Sequence, residues 1–187
     1  MRHAPVRVGA GRPEAGWRFR ARRPDRATMD WIADPGSLTA RLVARAAGTF
    51  RVRVTRLVWA RPTLAERRAL ALPRGEWALI REVVLEGQGE PWVIARSVIP
   101  RVTLTGRNRQ LRALGNRPLG AFLFRDPTLR RTEVKVVQLG LPKALSSASA
   151  HTAWGRCSTF VLRGRPLLVA EYFLPALLTP RSAGVPT

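Results

Sequence analysis

The chain has 187 residues, of which 45% are hydrophobic, and this length and composition are typical of one globular domain. Its single cysteine, Cys157, excludes an internal disulfide framework and a cysteine cluster for zinc or iron–sulfur, and with two histidines we expect no metal site. The 33 basic and 12 acidic residues give a net charge of +21, but the arginines are spread along the whole chain and form no block with interleaved aromatics. A bias in the coding sequence explains the many arginines as well as an anionic partner does. Because they form no basic block with interleaved aromatics, we do not expect a nucleic-acid partner.

The first residues differ from the rest in composition. Residues 1–28 carry eight arginines against Glu14 and Asp25 and show no helical or strand period, which predicts a disordered basic arm. An amphipathic targeting peptide is the alternative. No apolar run is long enough to span a membrane and no signal peptide is recognisable, so we expect a cytoplasmic protein. The folded domain is predicted at residues 29–178, with 179–187 as a flexible tail.

In the first half of the chain, hydrophobic spacing after Ser37 predicts a helix over 38–46 that ends before Gly48. Alternation over 50–59 predicts a strand that is extended or bulged near residue 57. Thr63 and Glu66 have the spacing of a capping box, which predicts a short helix to about residue 70. Two alternating runs, 77–86 and 91–99, flank a glycine-containing turn and predict a β-hairpin.

In the second half, Leu104, Leu111 and Leu114 predict a helix, and Pro118 is expected to begin another helical turn. A strand over 129–139, a loop or weak helix over 140–153 and a second hairpin with strands 158–162 and 167–174 follow. Hairpins with helices between them predict an α+β fold, in which one antiparallel sheet has helices packed on one face. The glycine loops of nucleotide-binding folds and the Gly-x-Ser-x-Gly elbow of hydrolases are absent.

Two charged residues interrupt hydrophobic rows. Arg81 alternates with apolar residues in the strand over 77–85, and Glu171 does so in the strand over 167–173. A charge buried in a core costs several kcal/mol unless it is partnered. One interpretation is a buried Arg81–Glu171 salt bridge, or twisted strand ends that let both side chains reach water. The other is a pocket in which Arg81 binds a carboxylate and Glu171 accepts a hydrogen bond from a ligand hydroxyl.

Arg96 lies on the partner strand of the first hairpin. It is predicted either as a secondary anion contact beside Arg81 or, equally, as an exposed arginine at a sheet edge.

Several segments carry a resemblance to a known family. The stretch from Ile80 to Pro100 contains Glu90-Pro91-Trp92, and the stretch from Gly164 to Pro175 reads GRPLLVAEYFLP. Together with the segments 103–106, 117–120, 123–124 and 154–156, they closely resemble the bacterial chorismate–pyruvate lyases, in the same order, over residues 29–175. The resemblance implies an α+β enzyme that splits chorismate into 4-hydroxybenzoate and pyruvate without a cofactor, as the first committed step of ubiquinone biosynthesis. It also implies a ligand cavity closed by helical flaps.

The resemblance assigns residues as well. The carboxylate-binding arginine of the family falls on Arg81 and the carboxylate that faces the ring hydroxyl falls on Glu171, which makes these the expected catalytic residues. Flap contacts fall on Leu38, where methionine is seen elsewhere, and on Leu119. The expected partners are therefore chorismate and its product, with no metal, and we expect a monomer.

A non-catalytic effector-sensing domain of the same fold and a basic nucleic-acid-binding protein are the alternative functions. The former needs an upstream helix-turn-helix module, for which about 28 residues before the fold are too few.

Overall fold

The computed structural model describes residues 23–142, 145 and 151–179. Six strands form one sheet in the order β1-β2-β3-β6-β5-β4, in which every neighbouring pair is antiparallel. This confirms the predicted α+β class and the single antiparallel sheet. The strands are β1 Arg51–Ala60, β2 Ala78–Gly87, β3 Glu90–Pro100, β4 Arg130–Gly140, β5 Thr152–Leu162 and β6 Arg165–Phe173. The helices are α1 Arg26–Ile32, α2 Leu38–Ala46, α3 Leu64–Ala69, α4 Leu119–Leu123 and α5 Pro175–Leu178, and the 3-10 helices are Arg101–Thr103 and Gly106–Ala113.

The local signals in the first half of the chain act as predicted. The Ser37 hydroxyl caps α2 by accepting a hydrogen bond from the amide of Ala40. Thr63 and Glu66 form the capping box that begins α3. Gln88 and Gly89 have φ values of 55° and 82°, so they form the tight left-handed turn that joins two twisted antiparallel strands. β1 has its irregularity between residues 54 and 56, slightly before the predicted position.

Other elements differ from the prediction. Helix α1 begins at Arg26, inside the predicted arm 1–28, because the Asp25 side chain accepts a hydrogen bond from the amide of Thr28 and caps the helix. Residues 1–22 of that arm, half of the predicted loop 140–153 and nearly all of the predicted tail lie outside the described residues. Strand β5 begins at Thr152, six residues before its predicted start at Ser158.

The segment with Leu104, Leu111 and Leu114 forms 3-10 helix rather than α-helix. Asn108, Leu111 and Leu114 are buried and spaced by three residues. In a helix with three residues per turn such positions fall on one face, and that face packs against the sheet.

The two faces of the sheet are covered differently. Helices α1, α2 and α4 and the 3-10 helix 106–113 pack on the face that carries Arg81, which we call the cavity face. Helix α3 and the residues after it pack on the opposite face. The prediction that the helices pack on one face therefore needs correction for α3. Among the described residues, no helix is long and apolar enough to cross a membrane.

Two glycines allow close approaches around the cavity, one within the sheet and one between the helices that cover it. A Cβ atom on Gly155 in β5 would lie 2.1 Å from the carbonyl oxygen of Glu171 in β6, so only glycine fits there. A Cβ atom on Gly120 in α4 would lie 2.6 Å from the Thr39 hydroxyl oxygen in α2. The first glycine sets the spacing of the strands at Glu171, and the second brings α2 and α4 together above it.

Candidate functional site

A cavity lies between the sheet and the helices α2 and α4. Four of the five residues predicted for the site line it, namely Leu38, Arg81, Leu119 and Glu171. Its wall is otherwise mostly apolar, with contributions from β2, β3, β5 and β6. These further lining residues include Val83, Leu85, Ala95, Ser97, Leu123, Phe124, Phe160 and Val169.

Arg81 is a buried cation that has no carboxylate partner among the described residues. Its side chain projects from β2, and the residue is only 3% exposed. Nη2 donates hydrogen bonds to the carbonyl oxygens of Gly115 (2.9 Å) and Arg117 (3.0 Å), in the loop that leads into α4. Burial lowers the pKa of the Arg81 guanidinium below its ordinary value. The N–H groups on Nε and Nη1 can still donate, because a guanidinium carries five donors.

Glu171 is paired with a different arginine. The Arg156 Nε atom donates to Glu171 Oε2 over 2.7 Å, and β5 and β6 place the two residues directly opposite each other. The salt bridge considered between Arg81 and Glu171 is therefore not the one that forms. Arg156 is 1% exposed, and its Nη1 also donates to the backbone carbonyl of Asp34 (2.5 Å), between α1 and α2. It holds both the carboxylate and the segment that leads into α2.

Arg131 is a second cation at the cavity without a carboxylate partner in the described part of the chain. It lies in edge strand β4 and lines the cavity. Its Nη1 donates to the carbonyl oxygen of Asp34 (3.3 Å), but its Nε is buried without an acceptor. The guanidinium lies 5.0 Å from the ring centre of Phe160 and 5.8 Å from that of Phe124. Burial, and secondarily the charge of Arg156, lowers the pKa of Arg131, and this effect outweighs the opposing charges of Glu171 and Asp34.

Neither Arg131 nor Arg156 was predicted as a site residue. Arg156 alternates with Trp154, Ser158 and Phe160, but this row becomes visible only once β5 is known to begin at Thr152. Around Arg131, the predicted strand has charged residues on both faces, and its register shifts between Arg131 and Glu133. No hydrophobic row singles Arg131 out.

Leu38 and Leu119 occupy matching positions in the two helices above the cavity. Each is the first residue of its helix, α2 or α4, and each is buried. Amide groups in the first turn of a helix have no acceptor within the helix. The flap residues can therefore offer a backbone N–H as well as an apolar side chain.

Arg96 does not belong to the site. It lies opposite Glu82 in the sheet, on the face away from the cavity. Its Nε donates to Glu66 (2.7 Å) and its Nη1 to Glu82 (2.5 Å). The structure thus corrects the prediction of Arg96 as a secondary anion contact, because two carboxylates already neutralise it.

The described residues give little support for metal-dependent chemistry or for a cysteine nucleophile. They contain no group of three or more His, Cys, Asp or Glu side chains that could hold a metal ion. Cys157 is buried, and burial, aided by the charge of Glu66, raises the pKa of its thiol to about 12. The thiol is therefore neutral near pH 7 and a poor nucleophile.

Solved structures with a similar fold include ligand-binding and effector-binding domains of bacterial regulators. The effector domain of PhnF from Mycobacterium smegmatis matches with a TM-score of 0.57 and 16% identity, over 75% of this chain and 90% of that one. The effector-binding domain of the trehalose repressor from Bacillus subtilis matches with a TM-score of 0.52 and 7% identity, over 73% and 99%. At these identities the likeness shows the fold alone.

Sequence relatives indicate the family. The family model described as Chorismate lyase matches residues 20–182. A protein named probable chorismate pyruvate-lyase from Azoarcus sp. (strain BH72) is 43% identical over 180 residues, which cover 89% of this chain and 95% of the relative. One of the same name from Methylococcus capsulatus is 44% identical, over 82% of this chain and 98% of the relative. The chain belongs to the chorismate lyase family of enzymes.

Proposed function

We propose that this enzyme cleaves chorismate to 4-hydroxybenzoate and pyruvate. Family membership supports the reaction class, and one observation carries the assignment to this cavity. Arg81 is a buried guanidinium in an apolar cavity, and among the described residues it has no carboxylate to neutralise it. A buried charge without a counterion is costly, so its persistence is explained if a ligand carboxylate completes the pair.

The cavity suits a ring that is polar at two positions. In our proposal, Arg81 binds the ring carboxylate through its N–H groups on Nε and Nη1. The ring lies against the apolar wall that includes Val83 and Val169. Glu171 accepts a hydrogen bond from the ring hydroxyl with its oriented carboxylate, and the amides of Leu38 and Leu119 bind ligand oxygens from above.

The reaction breaks the bond between the ring and the enolpyruvyl oxygen. The electron pair of that bond leaves with the oxygen, and the ring hydrogen on the hydroxyl-bearing carbon leaves as a proton. The C–H electron pair completes the aromatic ring, and the enolpyruvate takes up a proton to become pyruvate. No oxidant or reductant is needed. The protein contributes orientation, a dry cavity and fixed positive charge near the departing group.

Entry into the cavity requires movement of the flaps. The cavity has a volume of about 40 Å³, far below the roughly 300–1,000 Å³ of pockets that hold small organic ligands. We propose that α2 and α4 separate to admit the substrate and close over it. The hydrogen bonds from Arg81 to the loop before α4 would couple substrate binding to this motion.

The test is incubation of the protein with chorismate. We expect 4-hydroxybenzoate to appear by its absorbance and pyruvate to appear in equal amount in a coupled lactate dehydrogenase assay. Arg81→Met, which keeps an apolar side chain of similar length, is the matched control and should form both products at least about 100-fold more slowly than the wild type. Binding of 4-hydroxybenzoate without any pyruvate formation would favour the non-catalytic alternative, a domain that binds small aromatic acids.

We further propose that the product enters ubiquinone biosynthesis and that the enzyme acts in the cytoplasm as a monomer. Gel filtration with light scattering tests the last point, since a mass of twice 20.8 kDa would contradict it.

A further inference from the structure

The cavity has more positive charge than one ligand carboxylate can neutralise. Arg81 and Arg131 both line it, and neither is ion-paired with a carboxylate of the described residues. Glu171 also lines it but is occupied by Arg156. One buried and one half-buried cation at the same cavity, Arg81 and Arg131, therefore call for a ligand with two anionic groups.

We infer that Arg131 binds the second carboxylate of a dicarboxylate substrate, the one on the enolpyruvyl group. This inference rests on the proposed function, because it assigns the part of chorismate that Arg81 and Glu171 leave unbound. Arg131 is then a specificity-determining residue. It increases the affinity for the substrate, which has two carboxylates, relative to the affinity for the aromatic product, which has one.

The placement of Arg131 fits this role. In the strand order, β4 lies four positions away from β2, which carries Arg81. Four strand spacings correspond to about 19 Å between backbones in a flat sheet. Both long side chains line the same cavity from strands that lie this far apart, so two carboxylates on one small molecule can each meet a guanidinium.

The contacts of Arg131 leave it ready to bind an anion. The Arg131 guanidinium lies over the rings of Phe124 and Phe160, and the Asp34 carbonyl accepts one N–H. Its buried Nε still has no acceptor. A carboxylate that approaches in the guanidinium plane would satisfy that atom and add a second hydrogen bond.

The position also suits the reaction. The enolpyruvyl oxygen gains negative charge as its bond to the ring breaks, and its own carboxylate is close by in the same group. A guanidinium held beside that carboxylate would stabilise the charge on the departing group.

The test compares two stable ligands that differ by one charge. The ligand 3-(carboxymethoxy)-4-hydroxybenzoate carries a second carboxylate beside the ring hydroxyl, and 3-ethoxy-4-hydroxybenzoate has a methyl group in its place. Calorimetric titration gives the ratio of their dissociation constants for the wild type, Arg131→Met and Arg130→Met. Arg130 is the matched control, because it is the exposed neighbour of Arg131 on the same strand.

We expect the wild type and Arg130→Met to prefer the dicarboxylate by about 10- to 100-fold, the effect of a charge-assisted hydrogen bond, and Arg131→Met to lose that preference. Arg131→Lys should restore part of it. Inhibition by 4-hydroxybenzoate should stay within about twofold in Arg131→Met, while kcat/KM for chorismate falls by a factor similar to the lost preference.

An unchanged preference in Arg131→Met, or an equal loss of affinity for both ligands, would overturn the inference and leave Arg131 with a structural role only. The ligand ratio needs no turnover, so it decides the role of Arg131 by itself. Failure of the wild type to release pyruvate from chorismate would instead contradict the proposed lyase activity.

Discussion

Arginines lie on both faces of the central sheet, and their partners differ. On the face opposite the cavity, Arg96 lies between Glu66 and Glu82. Burial opposes its charge, but the hydrogen bond and charge of Glu66 and those of Glu82 outweigh this effect and raise the pKa of Arg96. On the cavity face, Arg81 and Arg131 have carbonyl and aromatic neighbours instead, and burial lowers the pKa of both.

The difference separates structural arginines from ligand-binding ones. A buried arginine with its carboxylates in place stabilises the fold and has no charge left for a ligand. A buried arginine without a carboxylate imposes a cost on the empty protein that a bound anion would relieve. The following experiments test this division, in order of decreasing expected effect.

Arg81→Met should have the largest effect on activity. Loss of the only strong contact to the ring carboxylate should reduce substrate binding in the transition state by about 3–5 kcal/mol, or roughly 100- to 4,000-fold in kcat/KM. The melting temperature should change little, because the variant also removes an uncompensated buried charge. Near-normal kcat/KM from steady-state assays would contradict the role of Arg81 as the carboxylate anchor.

Arg96→Met should show the reverse pattern. It leaves Glu66 and Glu82 without their shared cation, so we expect a loss of about 3–5 kcal/mol in the free energy of unfolding, measured with urea. The kcat/KM of the folded fraction should remain close to that of the wild type. If Arg96→Met keeps its stability but loses substrate affinity, Arg96 contributes to ligand binding and its assignment as a structural residue is wrong.

These opposite expectations for Arg81 and Arg96 also show where sequence reasoning succeeds. Alternation alone singled out Arg81 and Glu171 as charges that interrupt hydrophobic rows, in strands whose limits were nearly right, and both line the cavity. It also left a salt bridge between the two open as an alternative. It failed for Arg96, since alternation does not say that α3 brings Glu66 to the opposite face. It missed Arg156 because the predicted start of β5 was too late.

The remaining features of the site depend on contacts between distant parts of the chain. The Asp34 carbonyl, which accepts hydrogen bonds from both Arg131 and Arg156, lies about a hundred or more residues before them in sequence. A single sequence has no periodicity that records such a contact. The fold class was predictable because hairpin turns and caps are local signals.

Glu171→Gln tests the polar end of the cavity. It keeps the size of the side chain but removes the charge, so 4-hydroxybenzoate should bind more weakly by about 1.5–3 kcal/mol. Benzoate lacks the hydroxyl, so its affinity should change much less. Both ligands are titrated into both proteins by calorimetry, and equal losses would defeat the assignment of Glu171 as the hydroxyl acceptor.

Melting curves provide the control for that variant. Because Glu171 is paired with buried Arg156, Glu171→Gln should also lower the melting temperature without ligand. This loss of stability is the same whichever ligand is titrated. The difference between the affinity changes for 4-hydroxybenzoate and for benzoate therefore measures the hydroxyl contact alone.

Leu38→Pro removes a backbone donor from the flap without breaking its helix. Leu38 is the first residue of α2, where proline is tolerated, and Ser37 has φ −76° and ψ 109°, which suits a residue before proline. Leu38→Ala shortens the side chain but keeps the amide. If the amide binds a ligand oxygen, 4-hydroxybenzoate affinity should fall further in the proline variant, by about 1–2 kcal/mol. Equal affinities would exclude the amide contact.

The smallest expected effect is on the pH dependence of stability, and it comes from Cys157 and Tyr172 on the face opposite the cavity. Burial raises the pKa of the Cys157 thiol from 9.0 to about 12 and that of the Tyr172 hydroxyl from 10.0 to about 12. Both groups therefore keep their protons in the folded protein at a pH where the unfolded chain loses them. The unfolded state then binds fewer protons, so the free energy of unfolding falls as the pH rises from about 9 toward 12.

Cys157→Ala separates the contribution of the thiol from that of Tyr172. Between pH 9 and 10 the thiol should account for a loss of up to about 1.4 kcal/mol, since Tyr172 begins to contribute only near pH 10. Urea unfolding at pH 8, 9 and 10 should give a steeper decline for the wild type than for the alanine variant. Equal slopes would mean that the thiol ionises as readily in the folded protein as in the unfolded chain, and that β5 is open to solvent at Cys157.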